Sequence, residues 1–101
     1  MSQADPDGAP RPTDEELMVR CQTGDAQAFS DLYSRYRLPI SRYAGRILGD
    51  GDAVDDVMQE TFLRAYSARD RFLPDRRFSA WLYTIAHNLC ANELRRREAQ
   101  P

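Results

Sequence analysis

The chain contains no lysine, so all fourteen basic residues are arginines. It has one histidine, His87, and two cysteines, Cys21 and Cys90. The cysteines form no CxxC pair and make no zinc pattern with the histidine, which argues against a structural metal site. In a reducing compartment they read as thiols on helix faces. No apolar run approaches the length of a membrane span. The opening MSQADPDGAPRP has neither the basic start nor the apolar segment of a signal peptide, so a cytoplasmic location is expected. A glycine-rich phosphate loop and a nucleophile with a partner base are also missing. An enzyme is therefore not expected, and no cofactor is implied.

What remains is one domain's worth of chain, 101 residues with 42% hydrophobic and 30% charged side chains. The charge is unevenly placed. Residues 1–63 hold six arginines against twelve acids, whereas residues 64–101 hold eight against four. An acidic first part and a basic last part suggest two surfaces with different partners.

Residues 1–12 lack periodicity and read as a disordered leader. Four helical segments follow. The first opens on Thr13 with Glu16 placed to close a capping box, carries Leu17, Met18 and Cys21, and ends at Gly24. The second starts after Asp25, an N-cap residue. Its stripe is Phe29, Leu32, Tyr33, Tyr36, Ile40, Tyr43, Ala44 and Ile47, with a kink expected at Pro39. Gly49 to Gly51 make the next turn. The third helix starts at Asp52, buries Val54, Val57, Met58, Thr61, Phe62 and Ala65, and fades near Ala68. RDRFLPDRR reads as a loop. The fourth helix starts near Phe78 and buries Phe78, Leu82, Ile85, Ala86 and Leu89; Arg95, Arg96 and Arg97 suit its C-terminus. No strand alternation occurs. The expected fold is all-α, a compact bundle of about four helices.

The third helix poses a puzzle. Asp56, Gln59, Glu60 and Leu63 follow i, i+3, i+4, i+7 on the side away from its core stripe. This is either a solvated acidic face with one stray leucine or a docking strip, an apolar anchor ringed by polar groups. The fourth helix carries a second stripe, Trp81, Thr84, Asn88, Asn92 and Arg95. Asparagine offers a donor and an acceptor to base edges, tryptophan can stack on an unpaired base, and arginine can hold phosphate. Arg69, Arg71, Arg76 and Arg77 lie in or beside the preceding loop and could follow a nucleic-acid backbone. Equally, Trp81 could pack at the helix boundary, the asparagines could be solvated, and the terminal arginines could serve only the helix dipole. His87 falls on the far polar side.

Three segments, GDAQAFSDLYSRY, DAVDDVMQETFLRAY and FSAWLYTIAHNLCANELRRR, span most of the chain from Asp14 to Arg97. In order and spacing they resemble region 2 of the bacterial sigma factors, in the extracytoplasmic-function (ECF) group. The resemblance implies a sigma region 2 domain over residues 13–98. It also implies a second helical domain that reads the −35 element, which this chain does not include; residues 99–101 then read as the start of a linker. In that family the helix bearing the Gln-Glu pair docks on the clamp helices of the RNA polymerase β′ subunit. The match falls on Asp56, Gln59 and Glu60, with Leu63 as the anchor beside them. The last helix and its loop read the promoter −10 element on the non-template strand, with one base flipped into a pocket. The base-reading asparagine matches Asn88, with Asn92 one turn later. Phe72 and Leu73 match positions near the flipped base, and Arg76, Arg77, Phe78, Ser79 and Trp81 match the segment linked to strand opening. Leu73–Pro74 stands where many relatives have a more polar sequence, so which base is flipped stays open. An anti-sigma factor is also implied as a partner. The competing readings are a sigma mimic or purely protein-binding module, and a helix-turn-helix repressor of duplex DNA.

Overall fold

The computed structural model describes residues 11–49 and 51–100, and four helices carry the described chain. They are α1 (Asp14–Gln22), α2 (Ala26–Leu48), α3 (Asp52–Ser67) and α4 (Phe78–Ala99). The leader expected over residues 1–12 lies outside the described residues up to position 10; Arg11 and Pro12 have no regular structure.

The helix starts follow local chemistry. Thr13 Oγ1 accepts the Glu16 amide at 3.0 Å, and the Glu16 carboxylate accepts the Thr13 amide at 2.8 Å. Both donors would otherwise be orphaned at the N-terminus. Asp25 Oδ1 caps α2 by accepting from the amides of Gln27 and Ala28. Pro39 lies within α2, which continues unbroken through it. The turn into α3 uses Gly49 and Gly51 at φ of 92° and 99°, a region that side chains other than glycine rarely adopt.

Helix α2 is the central element and contacts α1, α3 and α4. The main core gathers Leu17, Met18 and Cys21 from α1 with Ala28, Leu32 and Ile40 from α2. Phe62 and Ala65 join them from α3, and Phe78, Leu82 and Ala86 from α4. A second cluster, Ala44, Leu48, Val54, Val57 and Cys90, seals the other end. Thr61 is the buried polar residue here; its hydroxyl donates to the Val57 carbonyl at 2.6 Å and so costs no unmade hydrogen bond. Both cysteines are buried free thiols, and burial pushes their pKa values up.

Three details differ from the sequence expectation. RDRFLPDRR is not wholly irregular, because Arg69–Arg71 form a 3₁₀ turn. In α4 the fully buried stripe is Phe78, Leu82, Ala86 and Cys90; Ile85 and Leu89 are only half-buried. The i, i+4, i+8, i+12 course of the true stripe shows that Cys90 continues it. Helix α4 also extends through Ala99.

Candidate functional site

Two surfaces emerge, joined along α3. The first is the outer face of α3. Val57, Thr61, Phe62 and Ala65 turn inward, so the helical period turns Asp56, Gln59 and Leu63 outward. Glu60 is half-buried and pairs with Arg64 at 3.0 Å, one turn along. Leu63 is 63% exposed, the most open of the large apolar side chains among the described residues. It does not stand alone. Phe29 and Tyr33 of α2 meet Phe62, Leu63 and Tyr66 of α3 beside Gln59, and together they line an open cleft of about 470 Å³. The rings interlock edge to face, with centroids 5.0 Å apart for Phe29 and Tyr66 and 4.9 Å for Tyr33 and Phe62. Sequence reasoning assigned Phe29 and Tyr33 to the core and overlooked Tyr66. The signal was present, since Gln59, Leu63 and Tyr66 follow i, i+4, i+7 and extend the strip by a turn.

The second surface runs along α4 and the loop before it. Asn88 is exposed and borders a cleft of about 540 Å³ with Glu60, Arg64, Ser67, Ala68, Arg71 and Ile85. Arg64 and Arg71 thus line the same cleft as the predicted base-reading amide. Leu73 is 54% exposed, and Arg76 and Arg77 are exposed beside it. Trp81 and Ser79 are half-buried. Thr84 is exposed, but its hydroxyl donates to the Ala80 carbonyl at 2.8 Å. Asn92 accepts a hydrogen bond from Arg95 on the exposed side of the helix.

Two of the residues matched to DNA contact sit elsewhere. Phe72 and Phe78 are 2% and 1% exposed, so neither ring can reach a base in this conformation. Phe72 points inward and packs on Phe78 at 5.9 Å and on Trp81 at 5.4 Å between centroids. The physical reason is the hydrophobic gain from removing large rings from water. These aromatics hold the loop's shape from beneath, and Leu73 is the apolar loop residue that faces out. Of the terminal arginines, Arg96 and Arg97 bind Glu93 at 2.7 and 3.2 Å, and Arg97 also donates to the Leu48 carbonyl at the end of α2. Their hydrogen bonds hold the Glu93 carboxyl below the usual carboxylate range. His87 is exposed, as expected, with Nδ1 3.0 Å from the Tyr43 hydroxyl.

Sequence reasoning missed the residues that hold the loop. The Gln22 amide donates to the carbonyls of Arg69 and Phe72, each at 2.8 Å, and Glu15 accepts the Phe78 amide at 2.7 Å. Among the described residues no group of three or more His, Cys, Asp or Glu is placed to hold a metal ion. No helix among them is long and apolar enough to cross a membrane.

The described residues thus form an all-α domain with an apolar cleft between α2 and α3 and a second, arginine-bearing cleft where α3, the loop and Asn88 of α4 meet. The sequence model of Sigma-70 region 2 matches residues 32–100, and the chain belongs to that family. Within it the relatives are of the ECF group. The chain is 44% identical over 82 residues to the ECF RNA polymerase sigma-E factor of Escherichia coli K12, and 40% identical over 88 residues to the ECF sigma factor SigW of Bacillus subtilis. These alignments cover 81% and 82% of the chain but 42% and 47% of the relatives, so the chain spans less than half their length. Among solved structures it is similar to an engineered region 2 of sigmaE in complex with GTAAAA, with a TM-score of 0.79 and 42% identity over 86% of this chain and 90% of that one. CnrH in complex with the cytosolic domain of CnrY is also similar, with a TM-score of 0.71 and 38% identity over 78% of this chain and 51% of that one.

Proposed function

We propose that this chain is the ECF sigma-factor domain that docks on the β′ clamp helices of core RNA polymerase and reads the promoter −10 element as a melted non-template strand. The observation that carries the docking half is the exposure of Leu63 on a polar strip continuous with the Phe29–Tyr33–Tyr66 cleft. An apolar centre with Asp56, Gln59 and Glu60 at its edge is the composition of a helix-receiving surface. The DNA half rests on Asn88 sharing one cleft with Arg64 and Arg71, and on the similarity to a region 2 solved with GTAAAA. Asn88 reads the edge of a flipped base, Leu73 packs beside it, and Arg71, Arg76 and Arg77 follow the backbone. Trp81, anchored on Phe72 and Phe78, supports the reading helix, and Asn92 and Arg95 extend its polar face. The domain supplies recognition in the cytoplasm, and the polymerase supplies the chemistry.

A regulatory protein partner, an anti-sigma factor, is the second element of this reading. The relative solved with a protein partner supports it. A sigma mimic without a DNA surface is disfavoured by the exposed asparagine and arginines of the second surface. A helix-turn-helix repressor is disfavoured by α2 and α4, 23 and 22 residues long, where that fold needs a short recognition pair.

The test is equilibrium binding of the chain to an isolated β′ clamp-helix fragment and to −10 oligonucleotides. The expected result is binding to the fragment, together with salt-sensitive preference for the non-template single strand over duplex. Failure to bind the fragment sinks the docking half. Tighter binding to duplex sinks the strand-reading half.

A further inference from the structure

We infer that helix α1 is a clamp that sets the shape of the promoter-reading loop, with Gln22 and Glu15 as its positioning residues. This rests on the reading of residues 69–77 as that loop.

The loop has few ties of its own. Its backbone hydrogen bonds are local: Arg71 to Ala68, Phe72 to Arg69, and Arg76 to Leu73. None of these fixes it against the bundle. At its start Arg69 donates to the Tyr66 carbonyl of α3 at 2.8 Å and lies over the Tyr66 ring, and the hydrogen bonds that reach the loop backbone from another element come from α1. One Gln22 amide nitrogen donates to two loop carbonyls, those of Arg69 and Phe72, both at 2.8 Å. Both of its protons are used. At the far end, α4 has Arg77 at its N-cap position and no side-chain cap from its own segment, and Glu15 takes the Phe78 amide instead. A carboxylate there also suits the positive end of the helix dipole.

Glu15 and Gln22 lie seven residues apart, on one face of α1. Fully buried Met18 lies between them. Two turns of helix rise about 10.5 Å, so α1 acts as a rigid spacer between the loop's entry and its exit. The Phe72 ring, held by Phe78 and Trp81, pins the middle. What is left to project is Leu73 to Arg77, the stretch proposed to meet the strand. A loop held in its binding shape avoids the ordering cost of association and keeps one geometry for the base it accepts. Neither Gln22 nor Glu15 touches DNA. Their effect passes through the backbone they hold, so it falls on discrimination between bases more than on overall affinity.

The test uses the whole chain with Gln22→Met, which keeps the length and loses both donors, and Gln22→Lys, which returns a donor. Glu15→Leu, which releases only the α4 end, is an independent variant should Gln22→Met fail to fold. The first readout is amide hydrogen exchange without DNA. Gln22→Met should exchange faster over residues 69–78 while α2 and α3 match the wild type, and Gln22→Lys should restore much of the protection. The second is anisotropy with the single strand GTAAAA and its single-base variants at fixed salt. The spread of affinities across the set should shrink about five- to tenfold in Gln22→Met, as losing two hydrogen bonds to one loop implies, with mean affinity nearly unchanged. Unchanged loop exchange overturns the clamp. Faster exchange with an undiminished spread overturns its role in reading. A wild type that shows no preference among the strands strikes the base-reading function itself, and the exchange result alone then decides whether α1 holds the loop.

Discussion

Leu63 and Phe62 are neighbours on α3 with opposite fates, and substituting each separates docking from folding. Leu63 is 63% exposed and Phe62 4%. Burying a whole leucine side chain stabilises by about 1.5–3 kcal/mol, so the part of Leu63 still open to solvent offers a partner about 1–2 kcal/mol. Leu63→Asp removes that gain and adds a carboxylate near Asp56 and Glu60, which must be desolvated on docking. The total loss should be about 2–3 kcal/mol, roughly 30- to 150-fold in affinity for the clamp-helix fragment. The same change should cost folding only about 0.5 kcal/mol, from the lower helix propensity of aspartate. Phe62→Ala should do the reverse. Its ring packs against Phe29 and Tyr33, and its loss should cost about 3–5 kcal/mol of stability. The assay pairs titration against the fragment with a thermal melt followed by circular dichroism. If Leu63→Asp melts as early as Phe62→Ala, Leu63 is a core residue and the reasoning fails. If it melts and binds like the wild type, the strip is not the docking surface.

Other consequences are equally concrete. Asn88→Ala should reduce discrimination at one base of the −10 strand by about 1–3 kcal/mol; a uniform loss across all oligonucleotides would make Asn88 a backbone contact. Thr13→Ala breaks the capping box and should lower stability by about 1 kcal/mol, visible as a melt about 4–8 °C earlier, and an unchanged melt would show that α1 needs no cap. Burial, and then the hydrogen bond to Asp14, push the Tyr36 hydroxyl above its ordinary value of 10.0. The unfolded chain therefore ionises first: the contribution is intact below pH 10, and falls as the pH rises above it. Tyr36→Phe should lower the neutral melt yet lose less between pH 8 and 11 than the wild type, and parallel losses would refute the assignment.

The elements are largely legible in the sequence. The capping box at Thr13, the Asp25 cap and the α3 stripe depend on residues within one or two turns of each other, and such interactions are written in the spacing of the chain. The exposed strip was legible for the same reason, because a helix that buries Val57, Thr61 and Ala65 must turn Gln59 and Leu63 outward. Cys90 was missed because the expected stripe drifted to Ile85 and Leu89 and ended one residue short of it. Phe72 was placed on a DNA face by family match alone; Phe78 was matched there too, although helical spacing already put it in the buried stripe.

Local spacing thus determined the four helices, the caps of α1 and α2, and which side of α3 faces out. Only the tertiary structure decided the rest. The burial of Phe72 depends on whether the bundle leaves room for its ring under the loop, and no local pattern reports that. Gln22 binds carbonyls 47 and 50 residues away, and Glu15 binds an amide 63 residues away. Such bonds exist only once α1 has packed across the start of α4, because a side chain selects a distant backbone group by position in space and not by distance along the chain.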